Sequence, residues 1–291
     1  MPYVVNYPPS GDQPQIPLRT LSCTRSPLPS GPPLSRAPAR SYNDDMPCRT
    51  LVALPVYNEV AQVAGVLDEA LGHGHEVLVV DDGSNDGTSE LLAARDDIRV
   101  IRHAQNRGYG AALQSAFDFA IRGGYEILVT IDCDGQHQPQ LIPKLIETCL
   151  REEADIVSGS RYLRRFPGDS DPPAERRRVN EVVTEEVNRR LGLTLTDAFC
   201  GFKAYRVAVL ARLELSETGY AMPLELWVRA ARLGLKVIEM AVPLVYLDEE
   251  RSFGGALDDA QTRLAVYRQV LDRAEGSGVG GQGTSQARSV S

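Results

Sequence analysis

EILVTIDCDGQHQP, Glu126 to Pro139, starts as an apolar, β-branched run and ends in two carboxylates one residue apart, followed by a Gly, a Gln and a His. A run that is apolar at successive positions cannot be a half-exposed strand, because alternate side chains would then face water. It reads as a strand buried on both faces, which requires neighbouring strands and helices to cover them. Working outward, four further runs share this character: TLVALP (50–55), EVLVVD (76–81), IRVIR (98–102) and DIVSGS (155–160). Helical patterns separate them, at 58–72, 86–95, 109–122 and 139–151, the last with Pro139 close to its first turn. The expectation is an α/β fold, a single domain with a mostly parallel central sheet covered by helices on both faces.

In open sheets of this kind ligands sit beyond the carboxyl ends of the strands. Those ends carry the polar residues here: Pro55, Tyr57, Asn58 and Glu59; Asp81, Asp82 and Ser84; Asp132, Asp134 and Gln136; Ser160, Arg161 and Tyr162. One wall of a site is therefore expected where four strands end.

VVDDGSNDGT (79–88) fits the first half of a calcium-binding EF-hand loop, but its twelfth position is Ala93, where a bidentate Glu is required. DCDGQH fails in the same way, with Pro143 at position twelve. Two readings of these acids remain. Asp86 or Thr88 caps a helix, while paired Asp81 and Asp82 accept a nucleobase N–H or a ribose hydroxyl, as the acidic residue of dinucleotide folds does. Asp132 and Asp134 can together reach a hard divalent cation that bridges to diphosphate oxygens; the bland alternative is a solvated acidic turn. NRGYGAAL (106–113) lacks a full GxGxxG, since position 113 is Leu, so Gly108 and Gly110 are expected to serve close helix packing.

The net charge of −8 argues against a broad nucleic-acid surface. The five cysteines (Cys23, Cys48, Cys133, Cys149, Cys200) form no CxxC pair, which suggests reduced thiols without structural zinc. No apolar run reaches the ~18 residues of a membrane span, and no secretory signal pattern opens the chain. The reading is cytoplasmic and peripheral to a membrane at most. Eleven of the 19 prolines lie in residues 1–47, a segment expected to be disordered, and Met46 just before the first strand raises the prospect of an over-extended start. The folded domain is expected at 48–274 and a flexible Gly/Ser-rich tail at 275–291.

LPVYNE, VVDDGSNDGT, NRGYGAAL, DCDGQHQP, IVSGSRY, DAFCGFKAYR and LELWVRAARLG occur in an order and spacing that resembles family-two glycosyltransferases of the GT-A fold. Within them the chain is most similar to the dolichyl-phosphate mannose synthase and polyprenyl-phosphate glycosyltransferase branch, over about residues 50 to 248. The resemblance implies that Pro55, Tyr57, Glu59 and Asp82 contact a nucleoside-diphosphate sugar, that Asp132, Asp134 and Gln136 hold Mg or Mn, and that Arg161 meets the diphosphate or an acceptor phosphate. The chain departs from the branch after VPLVYLD, read as a strand: EERSFGG carries Glu249 where an Arg is usual, leaving Arg251 as its cation.

Two acceptor classes stay open. A polyprenyl phosphate is already ionised, with Arg176, Arg177 and Arg178 beside Arg161 as cations for its head group, whereas a soluble hydroxyl needs a general base. Asp197 and Glu225 are the candidates for that base, although Glu225 also suits the start of a helix. The competing classes are a nucleotidyltransferase, which would show a Gly-rich basic loop after the first strand, and a non-catalytic nucleotide-sugar-binding protein, which would have no use for both Asp132 and Asp134.

Overall fold

The structure, a computed structural model, describes residues 16–21, 48–246 and 255–276. Eight strands form one sheet: β1 (Leu18–Thr20), β2 (Thr50–Val56), β3 (Glu76–Asp81), β4 (Arg99–Arg102), β5 (Ile127–Thr130), β6 (Ile156–Ser160), β7 (Lys203–Arg206) and β8 (Val237–Ala241). Their spatial order is β1-β8-β6-β7-β5-β2-β3-β4. The five runs identified in the sequence are β2 to β6. Pairs β2–β3, β2–β5, β3–β4 and β6–β8 are parallel, while β7 lies antiparallel between β5 and β6.

Successive residues of the central strands enter two different cores. On one face Leu51, Ala53, Leu78, Val80 and Leu128 pack under α3 (Tyr109–Arg122), α5 (Ala174–Leu191), α6 (Val207–Leu213), α7 (Met222–Arg232) and α8 (Ala260–Gly276). On the other Val52, Leu54, Val77, Val79 and Val129 pack under α1 (Val63–Leu71), α2 (Thr88–Ala93) and α4 (Ile142–Arg151). Both faces are thus apolar, the reason the strands read as unbroken runs. The four described cysteines are free thiols. Among the described residues no helix is long and apolar enough to cross a membrane.

Four expectations need correction. Residues 16–21, inside the segment expected to be disordered, add an edge strand: Leu18 pairs with Met240 and Thr20 with Ile238, and Leu21 N–H donates to Val237 O at 3.0 Å. Proline content averaged over 47 residues concealed a short stretch whose backbone satisfies the open edge of β8; the rest of that segment lies outside the described residues. The strand expected at VPLVYLD is instead Val237–Ala241, and 242–246 are irregular. The first helix begins at Val63 rather than 58, because Asn58 takes a left-handed backbone (φ 56) and ties its loop to the next one. α8 runs through Gly276, so residues 275 and 276 of the expected tail are helical; 277–291 lie outside the described residues, as does the 247–254 segment with Glu249 and Arg251.

Candidate active site

The chain winds from β2 outward to β4 and then returns through α3 to β5 on the other side of β2. Neighbouring loops diverge at such a reversal, and the crevice between them is where α/β sheets bind ligands. A cavity of about 750 Å³ opens here, bounded by the loops after β2, β3, β5 and β6 and by α5, α7 and α8.

One wall is built by the loops after β2 and β3, which are clamped to each other. Asn58 N–H donates to Ser84 Oγ (2.9 Å), Glu59 N–H to Thr88 Oγ1 (3.0 Å) and Asn85 N–H to Asn58 Oδ1 (2.9 Å). Pro55, Tyr57, Glu59 and Asp82 all line the cavity, as expected. Asp81 does not. Its carboxylate turns away to accept Ser84 N–H (2.9 Å) and Ser89 Oγ–H (2.5 Å), so it builds the turn rather than facing a ligand. Asp86 accepts Thr88 N–H at 3.0 Å, although the residue at the helix N-cap is Gly87.

The floor is the stretch after β5, where Asp132, Asp134 and Gln136 line the cavity together. Asp132 accepts Tyr109 Oη–H at 2.9 Å, and its own N–H donates to Nδ1 of buried His137 at 3.2 Å. Asp134 Oδ1 accepts Gln136 N–H at 3.0 Å. Gly201 packs directly beneath: a Cβ there would collide with both carboxylate oxygens of Asp132. Two carboxylates and a carboxamide are hard oxygen donors suited to Mg or Mn. Among the described residues no three His, Cys, Asp or Glu side chains gather as a metal cage. The donor set therefore fits a cation whose remaining ligands come from elsewhere, such as phosphate oxygens, and not a closed structural site.

The opposite wall is cationic and aromatic. Arg161, at the end of β6, makes a fork-to-fork pair with Asp197: Nε to Oδ2 at 2.7 Å and Nη2 to Oδ1 at 3.0 Å. Asn180 of α5 also donates to Asp197 (3.0 Å), as does Phe199 N–H (3.1 Å). Burial alone would push the Asp197 carboxyl up, but the Arg161 charge and these hydrogen bonds outweigh it and hold it well below the usual carboxylate range. The Asp197 turn is itself held by Glu239 of β8, fully buried, which accepts Thr196 N–H (2.8 Å) and Asp197 N–H (3.1 Å). The Arg177 guanidinium lies 4.1 Å from the centre of the Tyr162 ring, and Arg176 lies 5.9 Å from that of Tyr246.

This geometry corrects both general-base expectations. Asp197 is 0% exposed and committed to Arg161. Glu225, in the first turn of α7, accepts Ser216 N–H (2.8 Å) and Glu217 N–H (2.7 Å), which fixes the loop leading to Tyr220. Neither lines the cavity. Gly108 and Gly110 serve packing, as expected: side chains at either would strike the 217–218 backbone that α3 abuts.

Sequence reasoning missed Tyr109, Tyr220, Tyr246, Arg263 and Tyr267, all of which line the cavity. Tyr109 stacks on Tyr220 with ring centroids 5.8 Å apart, and Tyr267 packs on Phe199 at 5.0 Å. Arg263 is nearly buried and donates to Leu257 O and to Glu175, joining α8 to the start of α5. A buried arginine on the packed face of an amphipathic helix carries no distinguishing local pattern. Tyr109, inside NRGYG, was the one within reach of motif reading.

Comparison with known proteins agrees with this architecture. The family model described as Glycosyl transferase family 2 matches residues 51–213. Polyprenol monophosphomannose synthase of Mycolicibacterium smegmatis is 34% identical over 247 residues, covering 78% of this chain and 91% of that protein. Undecaprenyl-phosphate mannosyltransferase of Micrococcus luteus is 34% identical over 233 residues, covering 75% of this chain and 93% of that one. The crystal structure of S. aureus TarS 1-349 in complex with UDP-GlcNAc aligns at a TM-score of 0.46 and 15% identity, covering 79% of this chain and 71% of that one; the sequence matches carry the assignment. Fold, cavity and sequence together make the chain a glycosyltransferase. It belongs to glycosyl transferase family 2.

Proposed function

We propose that this glycosyltransferase moves a hexose from a nucleoside-diphosphate sugar to a polyprenyl phosphate, with Mg or Mn held by Asp132, Asp134 and Gln136. The observation that carries the acceptor is that Arg161, which lines the cavity, is held there by its pair with the buried Asp197 behind it. A hydroxyl acceptor must surrender a proton in the transition state, whereas a phosphate monoester is already a nucleophile at pH 7. The two carboxylates that the sequence offered for such a proton, Asp197 and Glu225, are occupied elsewhere in the fold. A cation preset in a partly buried wall is suited to hold an anionic acceptor. The printed names of the two relatives point to the same acceptor class.

In this reading an acceptor phosphate oxygen attacks the anomeric carbon while the bond from that carbon to the diphosphate breaks, its electron pair leaving with the diphosphate. Arg161 keeps Nη1 outside its pair with Asp197 and holds the acceptor phosphate in line. Tyr57, Glu59 and the 82–85 turn hold the nucleoside. Tyr109 fixes the Asp132 carboxylate. A bound divalent ion supplies Lewis-acid stabilisation of the charge that develops on the leaving diphosphate.

The test supplies short-chain polyprenyl phosphate with GDP-, UDP- and dTDP-sugars and Mg or Mn, and looks for a sugar-phospholipid. In the same assay Glu225→Gln should keep kcat within about tenfold of wild type, since loss of a general base costs roughly 100-fold or more. Asp132→Ala and Asp134→Ala should lose Mn-dependent nucleotide binding by calorimetry while remaining folded. No lipid product, together with transfer to a soluble alcohol that collapses in Glu225→Gln, would refute the acceptor.

A further inference from the structure

At the end of β4, His103 is 6% exposed and belongs to none of the motifs discussed above. Its Nδ1 lies 2.6 Å from Asp82 Oδ1, and its Nε2 lies 2.9 Å from Ser115 Oγ on α3. A carboxylate oxygen can only accept, so Nδ1 carries the proton, while the Ser115 hydroxyl can turn to suit the other nitrogen. The Asp82 carboxylate then gathers two main-chain donors from the turn before α3. Arg107 N–H reaches Oδ1 at 2.9 Å and Oδ2 at 3.1 Å, and Gly108 N–H reaches Oδ2 at 2.7 Å. The ring of bonds is closed: α3, the end of β4, the end of β3, and α3 again.

Two consequences follow for the cavity. Asp82 lines it, yet most of the acceptor capacity of its carboxylate is taken by its own chain. Its dominant task is to set the path of the 105–108 turn, which seats over Gly83 so closely that a Cβ there would lie 2.6 Å from the Gln105 carbonyl carbon. Asn106, Gly108 and Tyr109 reach the cavity from this turn, and Tyr109 donates onward to Asp132. The nucleoside wall and the carboxylate floor are thus joined through one turn, and His103 is the latch behind it.

We propose that His103 is a positioning residue for donor binding: through Asp82 it fixes the 105–109 turn, and so the wall and floor against which the nucleoside diphosphate is held. The inference rests on the nucleotide-sugar reading of the cavity. Removing the latch loosens the donor's seat without touching the groups at the reacting bond, so the expected signature is a split between KM and kcat. His103→Leu should raise the donor KM and the Kd for GDP or UDP about tenfold, with kcat within about threefold. His103→Asn places an amide N–H near the position of Nδ1 and should recover most of that affinity; Ser115→Ala, which removes only the outer partner, should have a smaller effect in the same direction.

The measurements are calorimetric binding of GDP, UDP and dTDP with Mn, and steady-state kinetics of the full chain, alongside melting curves for each variant. Unchanged nucleotide affinity in folded His103→Leu would overturn the proposal. So would equal losses in His103→Leu and His103→Asn, or a fall in kcat at unchanged KM, since each describes general destabilisation or a chemical role instead. If His103→Leu does not fold, His103→Asn and Ser115→Ala decide it by whether KM moves apart from kcat. A wild-type chain that binds none of the three nucleotides refutes the donor reading itself, a result distinct from any difference among the variants.

Discussion

The two walls of the cavity are made in different ways. The acidic wall comes from loops that follow β2, β3 and β5, and most of its side chains are held by partners two to five residues away or by the neighbouring loop: Gln136 N–H on Asp134, Ser84 N–H on Asp81, Asn85 N–H on Asn58. The cationic wall is assembled from distant chain: Arg161 with Asp197, Arg176 with Tyr246, Arg263 with Glu175. Local bonds leave a motif in the sequence, because turn, carboxylate and glycine must be consecutive. Long-range pairs leave none. The acidic wall can consequently be shaped by single loops, whereas the cationic wall depends on the packing of β6, β8 and three helices around one buried ion pair.

That contrast predicts where damage spreads. Arg161→Met leaves a carboxylate with 0% exposure without its cation and should destabilise the chain by about 3–5 kcal/mol, measured by urea unfolding. The double variant Arg161→Met/Asp197→Leu should recover most of that stability, since apolar replacement of a whole buried pair is often neutral, while leaving transfer to a phosphate acceptor severely impaired. Recovery of turnover along with stability would make the pair a structural element only. The sign of its pH dependence also follows. Asp197 is depressed in the fold, so its contribution is fully present above the ordinary carboxylate range and is lost only as pH falls below it. Unfolding between pH 7 and 5 should leave this contribution untouched, and Asp197→Asn should flatten the acid limb of the stability curve.

On the acidic side one methyl group should act locally. Gly201→Ala introduces a Cβ into the space of the Asp132 carboxylate. The expected outcome is a loss of Mn-dependent nucleotide affinity on the order of 10- to 100-fold, with stability lowered by about 1–3 kcal/mol, the usual scale of overpacking. A variant that melts far below wild type would show that the acidic wall is as globally coupled as the cationic one, and the contrast would fail.

The smallest effect is expected at the sheet edge behind the cationic wall. β1 pairs with β8, and β8 carries Glu239, which holds the Asp197 turn. A chain starting at Met46 loses β1 and leaves the edge of β8 open. Stability should fall by about 1–2 kcal/mol, or roughly 2–4 °C for a domain of this size. Differential scanning calorimetry checks this; a melting temperature equal to that of the full chain would show that β8 needs no partner.

How much was legible follows the same division. The strands β2, β3, β5 and β6 were readable because burial on both faces makes their apolar pattern continuous, whereas the largely exposed edge strand β4 was readable from β-branched Val100 and Ile101 and the helix at 109–122 from its apolar stripe. β7 and β8 were not, because KAYR has charges at both ends and VIEMA carries Glu239 at its centre, so neither forms an apolar run, and β1 was hidden by the prolines around it. Among site residues, Asp132, Asp134, Gln136, Asp82 and Arg161 reach the cavity as their places at strand ends required. Asp81 turns away because its carboxylate finds Ser84 and Ser89 first. Asp197 and Glu225 looked like available bases because a sequence displays a carboxylate without the partners that consume it.

The sequence by itself determined the α/β class, the strand-end position of the site, the oxygen-donor chemistry at 132–136 and the family, since each rests on the order and spacing of neighbouring residues. Only the tertiary structure decided which carboxylates face the cavity, which are spent on arginine or on main-chain N–H groups, and that a helix near the end of the chain contributes Arg263 and Tyr267. The reason is physical: whether a charged side chain is free is a property of the groups packed against it, and for the cationic wall those come from residues tens of positions away, chosen by the winding of the sheet and not by the local chain.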